Sequence, residues 1–182
     1  LEKRPINNIV EIGCNDTYTL SKLKNRAKNL YGIDPILKGR EQEFDNENIT
    51  IFGDFFENVN LDEIGNNLDV VLSSHTLEHI SDPKALIEKI LNNADSETQF
   101  FFQFPGLELL IDNARFDQIH HQHYNYFTVD SVVYMLNEVG GELINYEFNP
   151  HHWGTLMICF RKKRKNSFDK YQNNNQSTHR IN

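Results

Sequence analysis

Cysteine is scarce in this sequence, and long apolar runs are lacking. The chain of 182 residues carries two thiols, Cys14 and Cys159, which lie far apart and outside any Cys-x-x-Cys pattern. Two isolated thiols favour a reduced, unpaired state and a cytoplasmic location. No stretch approaches the length of apolar residues that spans a bilayer. The start, Leu1 to Pro5, is neither a Met start nor a signal peptide, which indicates a trimmed fragment.

Positive charge is also in short supply. The chain has 18 Lys and Arg residues against 26 Asp and Glu residues, which gives a net charge of −8. This balance argues against nucleic acid or an anionic membrane as the general partner. The length fits one domain, and the hydrophobic fraction of 38% suits a globular protein with a substantial core.

Short β-rich runs alternate with helix-like segments through most of the chain. That alternation predicts an α/β fold whose doubly wound, mostly parallel sheet is of the Rossmann-like type. Strands are expected at 8–12, 30–33, 49–52, 68–73 and 98–104, followed by an antiparallel hairpin at 142–148 and 153–160. Helices are expected at 20–30, at 36–44, after Pro83 with Asp82 as N-cap, at 107–111, and at 129–139 after Thr128.

The composition changes abruptly beyond Arg161. Residues 162–182 combine a basic run with Asn, Gln and Ser, and they have no periodic apolar face. We therefore predict one domain over 1–161 and a solvated or disordered polar tail over 162–182. A basic anchor for phosphate or membrane lipid is the alternative interpretation of this tail.

A nucleotide-type cofactor is indicated by the first two strands. Residues 9–16 form a strand and a turn, and Asp34 follows the second strand about twenty residues after Gly13. An acidic side chain there can accept hydrogen bonds from both hydroxyls of a ribose. The turn reads Gly-Cys-Asn-Asp-Thr and lacks the second and third glycines that admit a pyrophosphate, which disfavours NAD and an oxidoreductase.

Four motifs in the same order resemble those of class I S-adenosylmethionine (SAM)-dependent methyltransferases. They are residues 11–18 (Glu-Ile-Gly-Cys-Asn-Asp-Thr-Tyr), 32–35 (Gly-Ile-Asp-Pro), 53–55 (Gly-Asp-Phe) and 74–83 (Ser-His-Thr-Leu-Glu-His-Ile-Ser-Asp-Pro). The first is similar to the version found in sugar methyltransferases, except that Thr17 stands where that family commonly has glycine. The resemblance implies the class I methyltransferase fold, with SAM as cofactor.

The resemblance also implies which residues hold the cofactor. The loop over 11–16 would hold the methionine end of SAM, through Glu11, Gly13, Asn15 and Asp16. Asp34 would bind the ribose. A simpler interpretation of Asp16 is that it only caps the helix that follows.

Three later segments complete the implied cofactor site. Asp54 would bind the adenine amino group, and the backbone of Phe55 would face the adenine ring. Ser74 and His75 would close over the methionyl part. The alternatives are that Asp54 only forms a turn and that His75 is a packed strand-end residue. Glu78 and His79, in the fourth motif, are expected to cap and brace the following helix.

A histidine-rich segment follows the fifth strand, on the edge where open α/β sheets bind ligands. Residues 116–127 resemble a segment of sugar C-methyltransferases whose last histidine is assigned to proton abstraction. On that resemblance His123 is the base and His121 the second candidate, while His120 and Gln122 would orient the substrate. A neutral imidazole can accept a proton from a poor nucleophile at physiological pH.

Two other interpretations of the histidine-rich segment are open. His120, His121 and His123, with Asp117, could supply ligands to a metal ion. We expect no metal, because adjacent histidines diverge on a strand and have poor angles on a helix, and the sequence offers no second ligand cluster. The histidines could also line an aromatic lid without a catalytic role.

The sequence therefore predicts a cytoplasmic SAM-dependent methyltransferase acting on a small-molecule acceptor. The favoured acceptor is a hydroxyl of a sugar or nucleotide-linked precursor of a surface glycan. Oxygen is preferred over carbon because Gln122 replaces the glutamate of the C-methyltransferases and because their Cys-rich zinc module and additional domain are lacking. The alternatives are C-methylation of a keto nucleotide sugar and a SAM-binding module without turnover.

Overall fold

The predicted doubly wound sheet is confirmed in the computed structural model, which describes residues 5–44, 46, 48–64, 68–149 and 154–164. Within these ranges seven strands form one sheet in the order β3-β2-β1-β4-β5-β7-β6. The strands are β1 (Asn8–Ile12), β2 (Asn29–Ile33), β3 (Ile49–Phe52), β4 (Val70–Ser74), β5 (Gln99–Pro105), β6 (Gly141–Asn149) and β7 (Thr155–Lys162).

Strand direction determines where a site can form. Strands β1 to β5 are parallel, and β7 runs antiparallel to both β5 and β6. The predicted C-terminal hairpin is thus present, although its connection at 150–153 lies outside the described residues. The carboxyl ends of the five parallel strands meet at one edge, and the order reverses beside β1. Ligands of open α/β sheets bind at such a switch point.

Four α-helices connect the strands in the described part of the chain: α1 (Tyr18–Leu23), α2 (Pro83–Asn92), α3 (Leu107–Asp112) and α4 (Val129–Glu138). The predicted cap of α2 is confirmed, because the Asp82 side chain accepts a hydrogen bond from Ala85 N at 2.9 Å. Thr128 caps α4 and forms a capping box with Ser131. None of the described helices is long and apolar enough to cross a membrane.

The early helices are shorter than predicted. The helix expected at 20–30 ends at Leu23, because the polar residues that follow offer little apolar surface to bury. The helix expected at 36–44 is replaced by two 3₁₀ turns, Pro35–Leu37 and Glu41–Glu43. Between them Gly39 adopts φ 79°, a left-handed conformation that interrupts a right-handed helix.

The polar segment after β7 starts later than the sequence indicated. Strand β7 includes Lys162, whose Nζ donates a hydrogen bond to the Ala94 carbonyl at 3.1 Å. Arg164 pairs with Glu97 at 2.7 Å. Residues 165–182, which make up most of the predicted tail, lie outside the described part of the chain. Disorder of that tail stays a prediction.

The core lies on both faces of the sheet. On one face α2 and α4 pack against a cluster whose largest fully buried side chains are Phe100, Phe102, Phe104 and Phe160. On the other face α1 contributes Leu20 to a smaller cluster with Ile9, Leu30 and Ile49. Both clusters hold the parallel strands in register, and this fixes the relative positions of the loops at their carboxyl ends.

Candidate active site

The loop after β1 is tightly wound around Gly13. Gly13 adopts φ 77°, and a Cβ atom added to it would lie 1.9 Å from the hydroxyl of Thr76. Glycine is therefore required for the loop to approach the β4 end this closely. Asn15 and Thr17 also have positive φ, at 44° and 62°. The conformation of Thr17 explains why glycine is common at this position in the resembling family, since a β-branched residue there is strained.

Asp34 joins this loop to the segment after β2. Its Oδ2 accepts a hydrogen bond from Asn15 N at 2.8 Å, and its Oδ1 accepts one from Ile36 N at 3.0 Å. The two bonds fix the half-buried carboxylate, and each oxygen keeps a further lone pair. Such a fixed charged acceptor fits the two hydroxyls of a ribose. Binding of the ribose by Asp34 stays a prediction.

The loop after β3 holds Asp54 in a similar way. Asp54 Oδ1 accepts hydrogen bonds from Phe55 N at 2.7 Å and from Asn58 Nδ2 at 2.8 Å. These bonds, that of Asn58 first, hold the pKa of Asp54 below its usual range. Phe55 leaves 59% of its surface exposed beside this carboxylate. An exposed ring and a fixed acceptor could receive a planar base that carries an amino group.

Ser74 and His75 end β4 at the same edge. His75 N donates to the Gln103 carbonyl at 2.8 Å, and its φ of 51° turns the chain away from the sheet. The side chain is 40% exposed, and its Nδ1 lies 3.3 Å from Glu78 Oε1. His75 is therefore only partly packed, and its imidazole is accessible at the strand end. Ser74 is exposed beside it.

Glu11 occupies a different environment from the other predicted cofactor residues. Its side chain is 3% exposed, and its Oε2 has no hydrogen-bond partner among the described residues. It lines a cavity of about 390 Å³ together with Thr19, Ser73 and Ser74. Burial above all, with the negative charges of Asp16 and Asp34, raises the pKa of Glu11 to about 7.

Asp16, the remaining predicted residue of this loop, is exposed. Its Oδ1 accepts a hydrogen bond from Tyr18 N at 3.1 Å, at the start of α1. This bond satisfies the first N–H group of α1, although Thr17 holds the N-cap position, and it leaves Oδ2 open for a ligand.

The histidine-rich segment lies against the turn after β4. The Glu78 carbonyl accepts hydrogen bonds from Tyr124 N at 2.9 Å and from Asn125 N at 3.2 Å. The ring of His123 lies 4.9 Å from the ring of His79 and 3.9 Å from that of His120, measured between centroids. His121 and Gln122 are exposed. The structure thus brings His120 and His123 into one cluster, and His121 lies beside it.

His123 has the properties of a neutral proton acceptor. Its Nδ1 lies 3.1 Å from the Gln118 carbonyl, which can only accept a hydrogen bond. The ring proton is therefore on Nδ1, and the lone pair is on Nε2. Burial, followed by the proximity of His120, lowers the pKa of His123 despite the opposing charge of Glu78. His123 is consequently uncharged at neutral pH.

Sequence reasoning missed Glu78 and His79 as members of this cluster. Asp82, and neither of these two, caps α2, so their expected capping role is wrong. Glu78 is 1% exposed, and His79 Nδ1 donates to the Gln122 carbonyl at 2.8 Å. The only indication in the sequence was the presence of two ionisable residues in the fourth motif. Their partners in the histidine-rich segment are more than forty positions away and cannot be inferred from spacing.

Comparison with known proteins shows the family. A sequence model of the methyltransferase domain family matches residues 1–146. The C-methyltransferase NovU of Streptomyces niveus is 25% identical over 157 residues, which are 82% of this chain and 36% of NovU. The chain therefore spans about a third of the length of this curated relative.

Solved methyltransferase structures share the fold. One is the Haloferax volcanii methyltransferase in complex with the activator Trm112, with a TM-score of 0.71, 13% identity, and coverage of 89% of this chain and 86% of that one. Another is the N-methyltransferase NodS of Bradyrhizobium japonicum in complex with S-adenosylhomocysteine. Its TM-score is 0.63 and its identity 16%, and the match covers 87% of this chain and 79% of NodS.

Replacing Asp34 tests the ribose contact. Asp34→Ala should weaken SAM binding by about 1–3 kcal/mol, because the ribose hydroxyls lose a charged acceptor. Asp34→Asn keeps the shape of the side chain and one acceptor oxygen, so this variant should lose less SAM affinity than Asp34→Ala. Isothermal titration calorimetry measures both, with the exposed Asp62→Ala as a matched control. Unchanged affinity in Asp34→Ala would contradict the assignment.

The raised pKa of Glu11 predicts a pH-dependent stability. Between pH 4.5 and about 7 the folded state keeps a proton that the unfolded state has released. The contribution of Glu11 to the free energy of unfolding is thus largest below pH 4.5 and falls by up to about 3 kcal/mol as pH rises through 7. Urea unfolding at several pH values gives the free energy of unfolding of wild type and of Glu11→Gln as a function of pH. The two pH curves should diverge across this window. Glu88→Gln, at an exposed site, is the control, and parallel curves for Glu11→Gln would refute the prediction.

Proposed function

We propose that this chain, which belongs to the methyltransferase domain family, is a SAM-dependent methyltransferase whose acceptor is a hydroxyl of a sugar or nucleotide-linked precursor of a surface glycan. The observation that carries this proposal is the neutral imidazole of His123, oriented by the Gln118 carbonyl at the sheet edge where cofactor loops end. The resemblance of residues 116–127 to sugar methyltransferases supports the class of acceptor.

The cofactor assignment is supported by the shape of the loops. Gly13 keeps the first loop free of a side chain, and Asp34 offers two fixed acceptor oxygens. We assign the methionine end of SAM to residues 11–16 and the ribose to Asp34. Asp54 and Phe55 would take the adenine, and Ser74 with His75 the methionyl part.

SAM supplies a methyl group activated by its sulfonium sulfur, and the leaving group is the thioether S-adenosylhomocysteine. The contribution of the protein is alignment and proton removal. His123 Nε2 would accept the hydroxyl proton, so that the oxygen–hydrogen bond breaks as the acceptor oxygen takes the methyl group. The imidazolium that results is stabilised by the buried carboxylate of Glu78, which lies within 4.8 Å. His120 and Gln122 would orient the acceptor.

Carbon is the second candidate for the methylated atom. The relative NovU is a C-methyltransferase, and His123 could equally take a proton from a carbon beside a carbonyl group. We favour oxygen because Gln122 replaces the glutamate that C-methyltransferases carry before the base. Methylation of a hydroxyl also requires less from the active site than methylation of carbon. The hydroxyl proton can leave as the methyl group arrives, and no enolate has to be stabilised.

The test of this proposal is a methyl-transfer assay on two histidine variants. His123→Ala should lower kcat by about 10²–10⁴-fold, the usual contribution of a positioned base, and should leave SAM affinity nearly unchanged. His121→Ala should lower kcat by a smaller factor, because the exposed side chain of His121 lies outside the cluster. Two acceptors are offered with SAM that carries a 13C-labelled methyl group: a hydroxylated and a keto nucleotide sugar. The NMR signal of the labelled methyl group in the product then identifies the methylated atom.

Three outcomes would revise the proposal. Near-normal turnover in His123→Ala with loss in His121→Ala would move the base to His121. Normal turnover in both variants would make the segment a lid and place the base elsewhere. Tight SAM binding without turnover on any sugar acceptor would favour a binding module.

A further inference from the structure

Three potential metal ligands from two parts of the chain converge at the predicted base. Within the described part of the chain, a carboxylate oxygen of Glu78 and one ring nitrogen each of His79 and His123 lie within 4.8 Å of one another. Glu78 and His79 belong to the 3₁₀ turn Leu77–His79, and His123 to the histidine-rich segment. The hydrogen bonds from Tyr124 N and Asn125 N to the Glu78 carbonyl hold the two parts together.

The hydrogen bonds of the two imidazoles determine which nitrogen of each ring can coordinate a metal ion. His79 Nδ1 lies 2.8 Å from the Gln122 carbonyl, and His123 Nδ1 lies 3.1 Å from the Gln118 carbonyl. Both carbonyls can only accept, so each ring carries its proton on Nδ1 and its lone pair on Nε2. Metal-binding histidines almost always donate their second nitrogen to a carbonyl, carboxylate or water, which fixes tautomer and ring angle.

Glu78 supplies an independent indication of a cation. Its side chain is 1% exposed, and Oε1 lies 3.3 Å from His75 Nδ1. Oε2 is buried and has no hydrogen-bond partner among the described residues. A buried carboxylate oxygen without a partner is costly, and a bound cation would satisfy it.

We propose that Glu78, His79 and His123 bind a divalent transition metal ion, with zinc as the probe. Two imidazoles and one carboxylate suit zinc and other first-row metals, whereas calcium and magnesium prefer oxygen ligands. Zinc–ligand bonds are about 2.0–2.2 Å, so each ligand atom has to move inward by at most about 1 Å. One or more water molecules would complete the coordination.

The metal would inhibit the enzyme, and this consequence rests on the proposed function. A nitrogen that coordinates zinc has no lone pair left to accept a proton, so the ion and the acceptor hydroxyl compete for His123. Methyl transfer should therefore be fastest after exhaustive treatment with EDTA. The metal site itself does not depend on methyl transfer and can be tested without it.

Titration with cobalt and zinc tests the site directly. Cobalt(II) in a site of low coordination number absorbs in the visible range, and isothermal titration calorimetry gives the zinc affinity. We expect one ion per chain, and His79→Ala, which changes an exposed side chain, should weaken binding at least about tenfold, as should Glu78→Gln. His121→Ala is the matched control, because it removes an exposed histidine outside the cluster. Circular dichroism confirms that each variant is folded.

The results separate the metal site from the proposed function. Absence of a cobalt band and of zinc binding heat in wild type would overturn the site, and so would equal binding in wild type and His79→Ala. Zinc that binds and inhibits, with activity restored by EDTA, is the expected result. Loss of turnover on chelation, restored by added metal, would refute inhibition and assign the ion to catalysis.

Discussion

The hydrogen bonds from Tyr124 and Asn125 to the Glu78 carbonyl are the interaction on which the rest of the site depends. They join the histidine-rich segment, which has little regular structure, to the turn after β4. Two side-chain bonds support them, from His79 Nδ1 to the Gln122 carbonyl and from Asn125 Nδ2 to the Ile80 carbonyl. Backbone and side-chain donors together thus place His123 beside the turn.

Carboxylates at the same sheet edge acquire different properties from their surroundings. Asp34 and Asp54 are bound by backbone N–H groups and stay available as acceptors. Glu11, one strand away, is buried, and its pKa rises to about 7. Glu78 is buried against histidines. Position in the fold thus gives carboxylates at one sheet edge different burial and different hydrogen-bond partners.

The fold could be predicted largely from local patterns. The strand Ile49–Phe52 has its predicted bounds, and Asp34 could be identified because its distance from Gly13 is set by one βαβ unit. The end of α1 at Leu23 was missed because the residues that follow are polar. Without an apolar periodicity, the sequence does not show at which residue a helix ends. The side chains of Glu78 and His123 converge although they are more than forty positions apart, and sequence spacing cannot predict so distant a contact.

The central claim is that one sheet edge holds the cofactor on Asp34 and the base on His123. An experimental structure with S-adenosylhomocysteine and a nucleotide sugar tests it most directly. The account predicts ribose hydroxyls hydrogen-bonded to Asp34 and an acceptor hydroxyl about 2.6–3.2 Å from His123 Nε2. A ribose bound away from Asp34, or an acceptor that contacts none of His120, His121 and His123, would contradict the account.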